Sequence, residues 1–252
     1  CIGPTHLLDL PRLFELLLAG ARTPELERAS LVFWELRLPR VLLAAAAGAN
    51  LALGGLLLQA IFRNPLAEPY LLGLSSGGAL GAVVALAAGA TSVTWPALAG
   101  SLALAAIVLL FCRQRIAADL PSLLLVGVAL GALAQAFTTA IILRFDPSAL
   151  RSILFWLMGS FAGRGWTEVW MLLPAALVGG LAIWLLHRPL DLLALGGESA
   201  HHLGVRVPLL QTAGIALAAV LAALTVAACG TIGFVGLMAP HLTRKLVGAP
   251  HG

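Results

Sequence analysis

Long apolar blocks restrict the fold of this chain more than any other feature of its sequence. Each block runs for roughly 18 to 22 residues before a short polar or Pro/Gly-containing break, which suits an α-helix crossing a bilayer core of about 30 Å. Hydrophobic residues make up 60% of the 252 residues and charged residues only 10%, which excludes a soluble domain with a charged surface. Barrel strands are excluded because they need alternating segments of about ten residues.

This pattern predicts an all-α fold, a polytopic transmembrane helix bundle. Residues 1–40 carry the highest density of charged side chains, which indicates an extracytoplasmic N-terminal segment with a short amphipathic helix around Leu7 to Ala19. Residues 41–248 form the expected membrane domain. Its seven expected spans lie at about 41–61, 71–90, 95–111, 122–143, 166–186, 207–228 and 231–247. Because the chain begins with Cys1 and shows no signal peptide, we expect it to start part-way through a longer protein.

Two connections between the expected spans are too long to be simple turns. Residues 144–165 contain a helix-start sequence, Asp-Pro-Ser, and then an apolar stretch too short to cross a membrane, so a surface or re-entrant helix is expected. Residues 187–206 hold Pro189 and the Gly196-Gly197 break, which is the spacing of two short surface helices. With the N-terminal segment set aside, basic residues concentrate on the side of this second connection, which predicts that it is cytoplasmic.

Ionisable side chains are almost absent from the expected spans. Proton-coupled carriers and ion pumps hold their coupling ion on a buried Asp, Glu, His or Arg. The polar residues within the spans are instead Asn50, Gln59, Gln135, Thr138, Thr139, Gln211, Thr212 and Thr225. The chain also has no G-x-x-x-x-G-K-[ST] phosphate loop, so the energy for transport is expected to come from another chain. A stand-alone secondary carrier is the alternative, and it requires a coupling-ion site that the sequence does not show.

Several other signals are weak. Residues 73–77, GLSSG, match the G-x-S-x-G pattern of hydrolases, but they enter an apolar helix without His or acid partners, which favours capping or packing. His201, His202 and His241 lack the helical spacing and carboxylates of a metal site. The three cysteines lie far apart, and the basic residues form no stripe for nucleic acid. No catalytic residue, metal site or cofactor is therefore expected.

Five stretches, taken together, resemble one family. They are LRLPRVLLAAAAGANLALGGLLLQAIFRNPLAEPYLLGLSSGGALGA from Leu36, LLLVGVALGAL from Leu123, LFWLMGSFAG from Leu154, LDLLALGGESAHHLGV from Leu190 and GTIGFVGLMAPHLTRKLVG from Gly230. In order and spacing they are similar to the permease subunits of the ABC importers for ferric siderophores, haem and vitamin B12. The resemblance covers nearly everything from Arg37 to Gly248 and leaves the cargo open among these chelates.

The resemblance implies a fold, a location and partners. Permeases of that family have ten helices, form homodimers on two ATPase subunits, and receive cargo from an extracytoplasmic substrate-binding protein at the bacterial plasma (inner) membrane. This chain would hold the counterparts of helices two to eight and lack the first and the last two. It would then be a multi-pass conduit in the membrane lipid for an iron-siderophore, haem or cobalamin-type chelate, with ATP hydrolysed by the separate ATPase subunits.

The same resemblance implies roles for three sets of residues. Arg37 and Arg40 match the R-L-P-R of the outer mouth, where arginines pair with glutamates of the binding protein; interfacial anchoring by snorkelling is the alternative. The segment that couples to the ATPase is expected at Leu195, Gly196, Glu198, Ala200, Leu203 and Gly204, with Gly197 where an acidic residue is common. The translocation pathway is expected at Gly127, Gly131, Gln135, Thr138 and Thr139.

Overall fold

Helices provide all the regular secondary structure of the described residues. The computed structural model describes residues 28, 30–112 and 120–247. A π-helical stretch, Val32–Arg37, runs directly into α1, and a 3₁₀ helix, Pro69–Leu72, precedes α2. The α-helices are α1 (Leu38–Phe62), α2 (Leu74–Ala87), α3 (Thr94–Cys112), α4 (Leu120–Ile142), α5 (Pro147–Leu157), α6 (Trp166–Ala194), α7 (Gly197–His202), α8 (Val207–Cys229) and α9 (Val235–Val247). The predicted all-α fold is confirmed.

Four of the described helices are long and apolar enough to cross a membrane. They are Val32–Phe62, Ser122–Ile142, Trp166–Ala194 and Val207–Cys229, and the shorter apolar helices are Leu74–Ala87 and Thr94–Leu110. The helix in the connection at 144–165 is present as α5. The full set of seven crossings stays a prediction.

The first long helix begins earlier than expected. It starts at Val32, whereas the membrane span was expected from about residue 41. Arg37 and Arg40 therefore lie on the first turns of this helix, and the extracytoplasmic position of residues 1–40 stays a prediction. The amphipathic helix expected around Leu7 to Ala19 lies outside the described residues.

Two boundaries near the end of the chain also differ from the sequence prediction. α6 continues through Pro174 and Pro189 to Ala194, so the first short helix expected within 187–206 is the end of α6. Proline removes one backbone donor, and burial of the following Leu190 and Leu193 in the core keeps the helix in place. The last of the described helices is α9, which begins at Val235 and is shorter than the span expected at 231–247.

α1 and α8 lie at the centre of the bundle. In α8, 67% of the most apolar stretch is buried inside the bundle, whereas in α6 only 17% of the corresponding stretch is buried. α1 packs on α6, α8 and α9, while α2 packs on α3 and α4. α8 also contacts α3 and joins these two groups. α4 and α6 consequently present most of their surface outward.

Glycines allow the closest helix contacts. A Cβ added at Gly55 would lie 1.9 Å from the carbonyl oxygen of Gly236, where α1 meets α9. A Cβ added at Gly77 would lie 2.6 Å from the carbonyl oxygen of Gly100, where α2 meets α3. Only a residue without a side chain permits backbones to approach this closely.

Buried polar side chains join helices across the core. Asn50 Nδ2 on α1 donates to the carbonyl oxygen of Leu172 on α6 at 3.1 Å. Ser101 Oγ on α3 donates to the carbonyl oxygen of Leu74 at the start of α2, at 2.8 Å. In an apolar environment a polar group without a partner is costly, so these bonds favour one arrangement of the helices.

The bundle has two ends, which we name the Gly196 end and the Trp166 end. At the Gly196 end, α1 and α6 finish, α8 begins, and Arg63 Nη1 lies 3.8 Å from the position of a Cβ on Gly196. At the Trp166 end, Trp166 Nε1 donates to the carbonyl oxygen of Trp34 at 3.0 Å. The end of α5 lies here as well, because Ser160, three residues after α5, donates its N–H to the carbonyl oxygen of Cys229 at the end of α8, at 2.8 Å.

Candidate functional site

The strongest candidate site is the segment of residues 195–204, which we call the coupling segment. Gly196 has φ of 118°, a backbone conformation that favours glycine, and it separates α6 from α7. Gly204, with φ of 87°, ends α7. The Val205 N–H donates to the carbonyl oxygen of Ala200 at 3.0 Å, which folds the chain back towards α8. The six residues expected from the resemblance thus lie together.

One side of the coupling segment is buried and the other is exposed. Ala200 is fully buried in the main hydrophobic core. Leu195 and Leu203 are 61% and 60% exposed, and Glu198 is exposed as well. Leu195, Glu198 and Leu203 thus give this segment both apolar and charged groups on its exposed side. This segment therefore has the composition of a docking surface that the core holds in place.

A groove of about 410 Å³ opens beside the coupling segment, between the ends of α1, α6 and α9. Its polar lining residues are Gln59, Arg63, His187, Asp191 and Arg244. Arg244 Nη2 donates to Gln59 Oε1, and Gln59 Nε2 donates to the carbonyl oxygen of Gly236 at 3.4 Å. Sequence reasoning missed this contact between α1 and α9, because Gln59 and Arg244 are 185 residues apart and no pattern pairs them.

Arg37 and Arg40 lie at the Trp166 end, on the first turns of the long helix. Arg37 is partly buried and Arg40 is exposed. Trp166 stacks on Trp170 at a ring-centroid distance of 6.3 Å, close to Trp34. Tryptophans at one level are typical of a membrane interface, which suits both docking and interfacial anchoring. The docking role of the two arginines stays a prediction.

The five expected pathway residues do not share one face of α4. Gly127, Gly131 and Thr138 are buried, and a Cβ on Gly127 would lie 2.4 Å from the carbonyl oxygen of Leu71. The other two, Gln135 and Thr139, are exposed. Gly127, Gly131 and Thr138 therefore pack inside this chain, whereas Gln135 and Thr139 face outward. The pathway role of all five residues stays a prediction.

The hydrolase and metal signals find no support in the described parts of the chain. Residues 73–77 form the turn from the 3₁₀ helix into α2, whereas a nucleophile elbow follows a strand. Within residues 30–112 and 120–247, no three His, Cys, Asp or Glu side chains form a group that could hold a metal ion. His201 and His202 are neighbours on α7, with ring centroids 6.2 Å apart.

Comparison with known proteins agrees with the resemblance seen in the sequence. The family model described as the FecCD transport family matches residues 2–252. The vitamin B12 import system permease proteins BtuC of Escherichia coli O1:K1 and Shigella boydii serotype 18 are each 38% identical over 224 residues, covering 86% of this chain and 67% of the relative. A solved inward-facing structure, described as a metal-chelate type ABC transporter, matches with a TM-score of 0.80 and 34% identity, over 96% of this chain and 83% of that chain. The chain belongs to the FecCD transport family.

Proposed function

We propose that this permease carries a metal chelate across the bacterial inner membrane and is driven by two ATPase subunits that bind the coupling segment. The observation that carries the proposal is the exposure of Leu195 and Leu203 on a segment that Ala200 anchors in the core. The sequence has no phosphate loop of its own, so hydrolysis of ATP falls to the partner subunits.

The coupling segment is well placed to pass on a mechanical displacement. It follows directly from α6, a helix of 29 residues that extends for about 44 Å at about 1.5 Å per residue. Rigid helices transmit movement at one end to the other. A displacement of the coupling segment would therefore reach the Trp166 end through α6.

A second copy of the chain is proposed to pack along the outward face of α4. This helix buries a narrow stripe against α2 and exposes the rest. Its exposed large apolar residues are Leu125, Val128, Leu133 and Phe137. Gln135 and Thr139 share the exposed surface, and the Thr139 hydroxyl bonds to the carbonyl oxygen of Gln135 at 3.0 Å. Because the Thr139 hydroxyl is already hydrogen-bonded within the helix, it would bind a passing cargo weakly, which suits a conduit that releases its cargo.

The extracytoplasmic binding protein is proposed to dock at the Trp166 end through Arg37 and Arg40. The exposed position of Arg40 and the partly buried position of Arg37 suit contacts with carboxylates of a partner. Charges at such a rim act mainly on the rate and orientation of association. The cargo is proposed to be a metal chelate, since the similar proteins include vitamin B12 permeases and a metal-chelate type transporter.

Binding of the ATPase subunits to variants of the coupling segment tests the proposal. The Glu198→Ala/Leu203→Ala double variant should bind the ATPase subunits at least about 30-fold more weakly, the loss expected for a contact of about 2 kcal/mol. Leu209→Ala is the matched control, because Leu209 is also 60% exposed but lies on α8. Affinity is measured with purified proteins in lipid nanodiscs.

Uptake assays separate this proposal from the stand-alone carrier. Proteoliposomes with ATP inside should take up one of three labelled chelates, cyanocobalamin, haemin or ferrichrome, and uptake should stop in the double variant. Uptake that needs no ATP and is unaffected by the double variant would favour the secondary carrier. If the wild-type chain and the double variant bind the ATPase subunits with the same affinity, the docking role of the coupling segment is refuted.

A further inference from the structure

α2 and α9 are both too short to cross a bilayer core of about 30 Å. α2 has 14 residues and α9 has 13, so each is about 20 Å long. The chain at the start of each helix packs against α1. Pro69, before α2, lies against Gly54, where a Cβ would fall 3.1 Å from the proline Cγ, and Gly236, at the start of α9, lies against Gly55. Both helices therefore begin inside the bundle.

The chain just before α2, which includes the 3₁₀ helix Pro69–Leu72, contacts residues 230–234 before α9. The Tyr70 hydroxyl accepts the N–H of Ile232 at 3.2 Å, and the Glu68 carboxyl faces the N–H of Phe234. Residues 230–234 precede α9, so these two N–H groups have no partner within a helix. An unpaired backbone donor is costly where water is scarce, and the Tyr70 hydroxyl supplies the partner for the N–H of Ile232.

The segment of residues 230–234 is fixed to α5 at its other end. The Thr231 hydroxyl donates to the carbonyl oxygen of Leu157. A Cβ on Gly230 would lie 2.2 Å from the carbonyl oxygen of Trp156, so the two backbones are in direct contact. A change in the position of this segment therefore affects α5 at the Trp166 end.

α9 extends from this contact to the Gly196 end. There Arg244 bonds Gln59 on α1 and borders the groove whose opposite wall is the end of α6. A continuous path of contacts thus leads from the groove beside the coupling segment, along α9, to residues 230–234 and α5. Tyr70 and Glu68 are the side chains that connect this path to the start of α2.

We propose that Tyr70 and Glu68 are positioning residues for transport, which hold residues 230–234 so that α9 and α2 move together when the coupling segment is displaced. The inference rests on the proposed function, because ATPase subunits supply the displacement. The Glu68 carboxylate also lies at the N-terminal end of α9, where a negative charge is favourable. Neither residue has to contact the cargo for this role.

Tyr70→Phe is the smallest change that tests the role of the hydroxyl, because it keeps the ring. The measured quantity is the number of cyanocobalamin, haemin or ferrichrome molecules moved per ATP hydrolysed by the complete complex. It should fall about fivefold, the factor that one net hydrogen bond provides, while binding of the ATPase subunits and ATP hydrolysis stay at the wild-type level. Thr212→Val is the matched control, because its hydroxyl bonds the carbonyl oxygen of Pro208 within the same helix.

Two further measurements test the contact of Tyr70 and Glu68 with residues 230–234, so the test does not depend on the transport assay of Tyr70→Phe alone. Glu68→Gln keeps an acceptor oxygen and Glu68→Ala does not, so the Gln variant should retain clearly more transport per ATP than the Ala variant. Amide hydrogen exchange at Ile232 should be about fivefold faster in Tyr70→Phe than in Thr212→Val. Exchange needs no cargo and no ATPase subunit.

The outcomes that overturn the proposal are distinct from those that overturn the proposed function. If transport per ATP is unchanged in Tyr70→Phe, the positioning role is refuted. If Tyr70→Phe no longer binds the ATPase subunits, the role is also refuted, because that loss indicates a general structural role. Equal effects of Glu68→Gln and Glu68→Ala also refute it. A wild-type chain that binds no ATPase subunit contradicts the proposed function instead, and the exchange rate at Ile232 then decides whether Tyr70 holds the segment.

Discussion

Replacing Gly55 by alanine should separate α9 from α1. The new Cβ would lie 1.9 Å from the carbonyl oxygen of Gly236 and 2.9 Å from its Cα. To reach an ordinary contact of about 3.4 Å, the two backbones must move apart by about 1.5 Å. No side chain can relieve this overlap by rotating, because the atoms that collide belong to the backbone.

Three contributions determine how Gly55→Ala changes the free energy of unfolding. Overpacking in a core costs about 1–3 kcal/mol. The bond from Gln59 Nε2 to Gly236, already 3.4 Å long, would be lost at about 1 kcal/mol. Alanine gains about 1 kcal/mol over glycine within a helix. The net effect is a loss of about 2 kcal/mol in the free energy of unfolding.

Gly48→Ala is the matched control on the same helix. No atom lies within 4 Å of a Cβ at Gly48, so this variant should gain up to about 1 kcal/mol from helix propensity alone. Reversible unfolding in mixed detergent and SDS micelles, followed by circular dichroism, measures both variants. A Gly55→Ala protein as stable as Gly48→Ala would refute the contact between α1 and α9.

Three further predictions test other contacts. Gly127→Ala should lower the free energy of unfolding by about 1–3 kcal/mol, because its Cβ would lie 2.4 Å from the carbonyl oxygen of Leu71. Gly131→Ala has a nearest contact of 3.4 Å and should change the free energy of unfolding little. Unfolding in mixed micelles compares the two variants. Ser101→Ala should cost about 1 kcal/mol in the same assay through loss of its bond to Leu74, and an unchanged stability would contradict it. Arg37→Glu/Arg40→Glu should slow association of the binding protein about tenfold at low salt and much less at high salt, as followed by stopped-flow fluorescence.

The sequence predicted the helices whose apolar runs end at clear breaks. The spans expected at 122–143 and 207–228 correspond closely to α4, Leu120–Ile142, and α8, Val207–Cys229. Each has few polar residues inside and a break of proline, glycine or charge outside, so length alone identifies it. The family resemblance also followed from the sequence and agrees with the family match.

Other boundaries depend on packing, which the sequence pattern does not contain. Pro189 indicates a helix end, yet α6 continues past it to Ala194, since the neighbouring leucines are buried. The opposite error occurred before Val235, where an apolar stretch suggested a full span. There the positive φ angles of Gly230 and Phe234 interrupt the helix, and contacts with distant segments stabilise that irregular backbone.

The sequence also did not predict which side chains of α4 face the inside of the bundle. This helix is apolar on all sides, so periodicity does not distinguish an inward from an outward face. Gly127 and Gly131 are buried against residues 71–76, a contact that the sequence did not indicate. Small residues at helix contacts and small residues along a conduit look the same in a sequence.

ATPase subunits can reach the coupling segment only if it lies on the cytoplasmic side of the membrane. Ser199 is exposed on α7, so Ser199→Cys, in a chain whose three native cysteines are replaced by alanine, provides one reactive thiol. A membrane-impermeant maleimide should label it in inside-out vesicles and not in right-side-out vesicles, and bound ATPase subunits should protect it. Labelling from the extracytoplasmic side, or labelling unaffected by the ATPase subunits, would contradict the account.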